Sequence, residues 1–188
     1  MLLILLFGDD SVYTLVALSA AAVHEAGHIV AAAILKIKFK SLSLSLLGAK
    51  LGLAAPLYSY SREWLLCAAG PAINIMTGGI ALYIYNKCGS PERLRYVLFF
   101  AVASFFLAGL NLLPIKNFDG GRMLICVAAP LLGINAAEKM TDVLSFFCVL
   151  AIWSISLYLM IRVGSSLALF VFSSALFAEL FFDPAYFG

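Results

Sequence analysis

The sequence predicts an all-α integral membrane protein with about five to six transmembrane or half-membrane helices and a small β-hairpin at the membrane surface. Its 188 residues are 64% hydrophobic and only 12% charged, whereas a soluble domain is about half apolar and about a quarter charged. The mean hydropathy is +1.05, and apolar runs long enough to cross a bilayer recur along the chain. A chain of this length forms one compact unit, so we expect a single domain over residues 1–188.

The predicted helices follow one another along most of the chain. Leu2–Phe7 is apolar but too short to be a spanning helix, because a span needs about 20 residues. It also lacks the basic residues that begin a signal peptide. A tight turn is expected at Arg162, between the last two spans. Full spans are expected at Ser11–Leu35, Trp64–Tyr85, Tyr96–Leu113, Thr141–Ile161 and Gly164–Phe182, with a half-helix at Arg122–Leu132.

The segment after the first span has the periodicity of a strand. Polar and apolar residues alternate strictly over Ser41–Leu46, which is a period of two. Gly48, Gly52 and Pro56 interrupt the next stretch of the chain, so a hairpin or short sheet is expected there. Its edge could pair with an extended peptide, or the strand could pack on lipid headgroups, and the sequence leaves both interpretations open.

Charge and cysteine spacing exclude other classes of protein. The formal net charge is only +2, and no basic cluster is interleaved with aromatic residues, so no nucleic-acid partner is expected. Cys67, Cys88, Cys126 and Cys148 form no Cys-x-x-Cys pair, which excludes a zinc ribbon. Reduced thiols buried in helices are the expected state of these residues.

The two histidines of the chain lie in one pentapeptide, His24-Glu25-Ala26-Gly27-His28, inside the first apolar run. Residues four apart share one face of a helix, so both imidazoles can bind one metal ion and Glu25 can act on a water beside it. A charged side chain near the centre of a membrane helix costs roughly 2.5–3.5 kcal/mol. A bound cation in a wet cavity would offset that cost.

The third ligand must come from Asp, Glu or Cys, because a catalytic zinc commonly takes three protein ligands. Asp119 stands beside Gly120-Gly121, after a helix that Pro114 ends. This suits a carboxylate presented from a broken helix into a cavity. Glu138 is the alternative, since Glu138 and Asp142 are spaced as acids are in some zinc proteases. Its polar neighbours indicate instead a solvated loop that leads into a helix. We favour Asp119.

Three segments together point to a known family. His24–His28, Gly70–Asn74 (Gly-Pro-Ala-Ile-Asn), and Asn111–Pro114 (Asn-Leu-Leu-Pro) followed by Asp119–Gly121 (Asp-Gly-Gly) stand in order over about Ser11 to Leu132. They resemble the site-2 protease family of intramembrane zinc metalloproteases, especially its compact bacterial branch, which includes the sporulation sigma-factor processing proteases.

The resemblance implies which residues form the site. It assigns one zinc ion to His24, His28 and Asp119, and the catalytic carboxylate to Glu25. Asn74 and Asn111 could hydrogen-bond the substrate backbone or tie helices together, and the family analogy favours a place for Asn111 in the active site. Family members usually carry a full helix before the motif helix, and here only residues 2–7 stand in that place.

The resemblance also implies the reaction and the partners. It describes an intramembrane zinc endopeptidase that cleaves a single-span or membrane-associated protein, for example an anti-sigma factor or a sigma precursor. The catalytic core would cover about residues 11–132, and a C-terminal helix pair residues 141–182. A non-catalytic metal-binding membrane scaffold is the alternative, and a small transporter or ion-binding bundle is the third interpretation.

Basic residues in the short loops predict the orientation. The loop from Lys36 to Glu63 holds five Lys and Arg residues, and that from Asn86 to Arg95 holds three. The richer loop is expected in the cytoplasm. The active site would then lie toward the cytoplasmic half of a bacterial cytoplasmic membrane.

Overall fold

The computed structural model describes residues 11–37, 39–45, 48–53, 59–88, 91–163 and 167–182, which form six helices and two strands. The strands are β1 (Phe39–Ser45) and β2 (Gly48–Leu53). The helices are α1 (Ser11–Ile34), α2 (Tyr60–Lys87), α3 (Pro91–Asn111), α4 (Asp119–Leu132), α5 (Ile134–Val163) and α6 (Leu167–Phe182). The short apolar segment at residues 2–7 lies outside the described residues.

Four of the described helices are long and apolar enough to cross a membrane. α4 and α6 have 14 and 16 described residues, fewer than the roughly 20 that a span needs. The half-helix expected at Arg122–Leu132 therefore agrees with α4. The full span expected at Gly164–Phe182 is not met in the part of the chain that the structure describes. The candidate spans are Val12–Ile34, Tyr60–Lys87, Leu94–Asn111 and Ile134–Arg162.

α5 extends beyond its predicted bounds at both ends. It begins at Ile134, so Glu138 lies inside the helix and not in a loop before it. It continues to Val163, so the tight turn predicted at Arg162 is wrong. Arg162 lies in the last turn of the helix, where a basic side chain interacts favourably with the free carbonyl groups.

β1 and β2 pair antiparallel, with Leu42 opposite Leu51 and Ser45 opposite Gly48. A register shift interrupts the ladder between Phe39 and Ser41. The pair stands between α1 and α2 in the sequence, and residues 46–47, which join the strands, lie outside the described residues. The position of the pair at a membrane surface stays a prediction.

α2 is the central helix of the bundle, because it packs against α1, α3 and α4. Several buried residues of α1 are small: Ala17, Ala20 and Ala32 are fully covered. Small side chains let membrane helices approach closely, and close packing is a main source of their association energy. Large apolar side chains such as Leu15 and Ile29 remain exposed, as expected for surfaces that face lipid.

The C-terminal helices pack onto the connection between α3 and α4. Ile115 and Phe118 of that connection form a hydrophobic cluster with Val149 of α5 and Leu176 of α6. The backbone N–H of Lys116 also donates to Ser145 Oγ of α5, at 2.8 Å. The connection that leads to Asp119 is therefore fixed by packing and by a hydrogen bond.

Candidate metal centre

α1 brings both histidines to its buried face. His24 and His28 are 5% and 6% exposed, although most large side chains of this helix face outward. Their Nε2 atoms are 3.2 Å apart. The spacing of four residues thus does what the sequence predicted, and the two ring nitrogens point at one common position.

Asp119 reaches the same position from the N-terminus of α4. Its Oδ2 lies 3.1 Å from His24 Nε2 and 3.3 Å from His28 Nε2. The residue before it, Phe118, has extended backbone (φ −99°, ψ 163°) and forms the N-cap, so the helix starts at the carboxylate itself. A negative charge in the first turn is also favoured by the helix dipole.

Gly120 lets α4 begin close to the end of α3. A Cβ atom at this position would collide with the backbone carbonyl of Leu112, and a backbone atom cannot turn aside as a flexible side chain can.

The connection between α3 and α4 carries an ion pair between Lys116 Nζ and Asp142 Oδ1, at 2.9 Å. Asp142, one of the two acids in the alternative ligand pair, is therefore paired with a lysine.

α2 forms the wall behind the two imidazoles. A Cβ atom at Gly70 would lie 2.7 Å from His24 Nε2 and closer still to His28 Nε2, so the rings occupy the space that any other residue would fill. One turn earlier, the carbonyl of Leu66 accepts a hydrogen bond from His28 Nδ1 at 2.8 Å. α2 thus supplies both the space for the rings and the orientation of one of them.

The hydrogen bond to Leu66 fixes where the proton of His28 resides. A carbonyl oxygen only accepts, so Nδ1 of His28 carries the hydrogen, and in the neutral ring Nε2 is then a lone pair. That lone pair faces a carboxylate oxygen of Asp119 at 3.3 Å. The lone pair of His28 Nε2 and the carboxylate oxygen of Asp119 thus face each other in a buried site. Such an arrangement requires a cation or a further proton between the two atoms.

The three donor atoms are spaced nearly as the ligands of a tetrahedral metal ion are, and lie slightly closer together. The three donor atoms form a triangle with edges of 3.1, 3.2 and 3.3 Å. Ligand atoms bound to Zn²⁺ in tetrahedral geometry at about 2.0–2.2 Å lie about 3.3–3.6 Å apart. Among the described residues, His24, His28 and Asp119 are the one group of potential ligands that converges in this way. They can hold a metal ion and leave a fourth position for water.

A comparison with solved structures gives the same architecture. The chain is similar to a site-2 protease from Methanocaldococcus jannaschii, with a TM-score of 0.67 over 90% of this chain and 76% of that one. The chain has the fold of a site-2 protease. The two sequences are 20% identical, so the likeness shows the fold alone. No family model matches the chain, and no curated protein matches it by sequence.

Within this site-2 protease fold, the structure separates the two candidates for the third ligand. Asp119 contacts both histidines, whereas Glu138 is exposed on α5 and lies outside the converging group. Glu25 is half-buried next to His24, and its carboxylate interacts electrostatically with the three converging side chains. A potential proton acceptor thus stands beside the ligands.

The two asparagines considered for substrate binding have different surroundings. Asn74 is fully buried, with Nδ2 placed 3.3 Å from His24 Nδ1. Asn111 is half-buried at the end of α3 and donates from Nδ2 to the carbonyl of Leu107, at 3.0 Å. A role of Asn111 in substrate binding stays a prediction.

The cysteines stand apart from the converging ligands. All four are free, with Cys67 and Cys126 buried as expected, Cys148 half-buried and Cys88 exposed. The Cys67 and Cys126 side chains are buried among apolar helices. Neither sulfur belongs to the group of potential ligands that converges in the described residues.

One contact between two helices was not predicted from the sequence. Arg122, one turn after Asp119, donates from Nη2 to Glu63 Oε1 of α2 at 2.7 Å. This ion pair joins the helix that carries Asp119 to the helix that supports the histidines. Opposite charges at the ends of two helices were the available signal, but nothing in the sequence shows that these two ends meet.

Proposed function

We propose that this protein is an intramembrane zinc-dependent endopeptidase that cleaves a membrane-tethered protein substrate. The observation that carries the proposal is the triangle of His24, His28 and Asp119 donor atoms, buried in a bundle with four candidate spans. The fold similarity to a site-2 protease supports the same reaction class.

Each residue of the site has a separate task in peptide hydrolysis. His24, His28 and Asp119 would hold one zinc ion. When bound, the ion acidifies a water and polarises the carbonyl of the scissile peptide. Glu25 takes the proton from the attacking water as a carbon–oxygen bond forms, and it gives that proton to the leaving amine as the carbon–nitrogen bond breaks.

The presence of Glu25 favours an enzyme over a non-catalytic scaffold. A site that only holds a metal ion for structure is usually closed by four protein ligands, whereas this one has three and a half-buried carboxylate beside them. The arrangement therefore suits hydrolysis better than structural metal binding.

The substrate we propose is a single-span or membrane-associated protein, such as an anti-sigma factor or a sigma precursor. A helical substrate hides its peptide carbonyls in hydrogen bonds, so the cleaved segment must be extended at the site. The edge of the β1–β2 pair offers backbone groups on which an extended peptide can add as a strand.

The proposed location is a bacterial cytoplasmic membrane, with the active site toward the cytoplasmic side. The excess of basic residues in the segment between α1 and α2 supports this orientation. The histidines lie in the second half of α1, which would run toward the cytoplasm. Water would then reach Glu25 from that side.

The experiment that tests the function compares Glu25→Gln with the native chain during co-expression with candidate single-span proteins. Glutamine keeps the size of the side chain and removes the base, so product formation is expected to fall by roughly 10²–10⁴-fold, the usual contribution of a general base. Zinc content is expected to stay near one ion per chain.

The matched control is Glu138→Gln, an exposed glutamate of α5, which should cleave as the native chain does. Cleavage by Glu25→Gln at the native rate would remove Glu25 from its role. A native chain that binds zinc but cleaves none of a broad set of single-span proteins would support the scaffold instead.

A further inference from the structure

Asn74 of α2 contacts His24 on the side opposite the converging ligands. It is 0% exposed, and its Nδ2 is placed 3.3 Å from His24 Nδ1. Its own Oδ1 is buried and has no hydrogen-bond partner. Asn74 follows Gly70 by one turn, so the two residues share the face of α2 that lies against α1. A fully buried amide with an unsatisfied oxygen calls for a physical explanation.

The explanation lies in the proton of His24. Its Nε2 faces Asp119 and His28 and must be a lone pair in order to bind a cation, so Nδ1 must then carry the hydrogen. An N–H at Nδ1 needs an acceptor. The oxygen and nitrogen of an asparagine amide exchange places by a half-turn of the side chain and are assigned from their partners. A half-turn of the Asn74 amide places Oδ1, instead of Nδ2, beside His24 Nδ1. His24 Nδ1–H then has an acceptor, and Asn74 Oδ1 has a donor.

The two histidines therefore have different kinds of partner. His28 donates to the backbone carbonyl of Leu66, which no side-chain substitution can remove. His24 depends on a side chain that accepts through Oδ1 but donates through Nδ2. The tautomer of His24 therefore depends on the side chain beside its Nδ1, which in this chain is Asn74.

We propose that Asn74 is a positioning residue, whose Oδ1 accepts a hydrogen bond from His24 Nδ1–H and holds the ring in the tautomer that presents Nε2 to the metal ion. The proposal rests on the metal site of the proposed function and concerns binding alone, not hydrolysis. It differs from the substrate-binding role that the sequence left open for Asn74 beside a contact between helices, because Asn74 is 0% exposed and offers a peptide no surface behind His24.

The test measures Zn²⁺ affinity by competition with a chromogenic chelator, in purified detergent-solubilised protein without substrate. Asn74→Leu keeps the approximate size and removes the acceptor, and its affinity is expected to fall about 10- to 100-fold, as for other partners of metal-binding histidines. Asn74→Asp keeps an acceptor and loses the donor, so it should bind within about threefold of the native chain or more tightly.

The control is Ser104→Ala of α3. Ser104 is also 0% exposed with an unpartnered side-chain oxygen, but it lies near Gly78 and not near the ligands. It should leave the affinity unchanged. If folded Asn74→Asp loses as much affinity as Asn74→Leu, the amide acts through its N–H and the proposal is overturned.

A second measurement takes its decisive result from the native chain, so it does not depend on the folding of a variant. The chain has two histidines, so ¹⁵N-histidine labelling gives NMR signals from two rings only. The zinc-loaded native protein should show a protonated Nδ1 on both rings. Asn74→Leu should change the His24 signals and leave those of His28 in place. An unprotonated Nδ1 on the native His24 ring would contradict the proposal, whether or not the protein proves to be a protease.

Discussion

The contact between α1 and α2 and the contact between α5 and α6 both bury polar groups between apolar helices, but they use them differently. In the C-terminal pair, Ser173 Oγ donates to Ser156 Oγ at 3.0 Å and Trp153 Nε1 donates to Ser174 Oγ at 3.2 Å. These groups satisfy one another in pairs. Such hydrogen bonds hold membrane helices together and need nothing further.

Where α1 and α2 meet the start of α4, the polar groups converge and are not satisfied in pairs. The Nε2 atoms of His24 and His28 and a carboxylate oxygen of Asp119 lie within 3.3 Å of one another. A polar residue between membrane helices is therefore weak evidence for a functional site. Convergence of several lone pairs on one point is much stronger evidence.

The two contacts also differ in how tightly they are packed. Gly70 leaves no space between the α2 backbone and the imidazoles. The C-terminal pair instead packs large rings, with Trp153 stacked on Phe177 at a centroid distance of 5.7 Å. Loss or gain of a single small group should therefore disturb the first contact far more than the second.

The largest effect is expected for Gly70→Ala. The added methyl group would collide with both imidazoles, so zinc affinity should fall at least about 100-fold, the upper end of what a displaced partner of a ligand costs, and cleavage should be lost. Gly79→Ala on the same helix is the control, because nothing lies within 4 Å of its Cβ position. Zinc affinity of Gly70→Ala within threefold of native would refute the close packing.

A smaller effect is expected for Gly120→Ala, which acts on the helix that carries Asp119. The methyl group would meet the backbone of Leu112, and overpacking of this kind costs about 1–3 kcal/mol. Thermal unfolding should occur at lower temperature, with zinc affinity reduced about tenfold. Gly109→Ala, whose Cβ position has no neighbour within 4 Å, should change neither quantity. Equal behaviour of the two variants would argue against this contact.

A modest effect is expected for the Glu63–Arg122 ion pair. Its side chains are 25% and 36% exposed, so solvent screens the pair, and each single substitution, Glu63→Gln or Arg122→Gln, should cost about 0.5–1 kcal/mol of stability. The exchange variant Glu63→Arg with Arg122→Glu restores opposite charges and should recover at least half of the loss in thermal unfolding. Additive losses in the exchange variant would show that the charges do not interact.

The smallest effect is expected for Ser173→Ala in the C-terminal pair. It removes one interhelical hydrogen bond, and such bonds contribute about 0.6 kcal/mol on average in membrane proteins. Zinc content and cleavage should stay at the native level while the unfolding temperature falls slightly. Loss of zinc from Ser173→Ala would mean that the C-terminal pair is coupled to the site and that the contrast between the two contacts fails.

Much of the fold was predictable because apolar runs and the His-Glu-Ala-Gly-His spacing are local signals. The convergence of His24 and Asp119 was not, since the two residues are 95 positions apart and only the packing of α1, α2 and α4 brings them together. The prediction of Asp119 rested on the broken-helix pattern of Pro114 and Gly120-Gly121 and on the family resemblance.

The start of α5 also escaped prediction. Polar residues around Glu138 are compatible with a solvated loop or with the exposed face of a helix. The structure has the helix, and α5 starts at Ile134.

The role of Gly70 could not be predicted from the sequence for a different reason. A glycine shows only that no side chain is present, and the structure shows which atoms occupy the space.

Zinc X-ray absorption and metal content, measured on the purified native chain, Asp119→Ala and Glu138→Ala, show whether His24, His28 and Asp119 hold one zinc ion. The proposed zinc site implies one zinc per native chain, bound by two imidazole nitrogens and a carboxylate oxygen at about 2.0–2.2 Å. Asp119→Ala should lose the ion or the carboxylate ligand, and Glu138→Ala should match the native spectrum. A native chain that cleaves substrate without metal, or an Asp119→Ala spectrum identical to the native one, would contradict it.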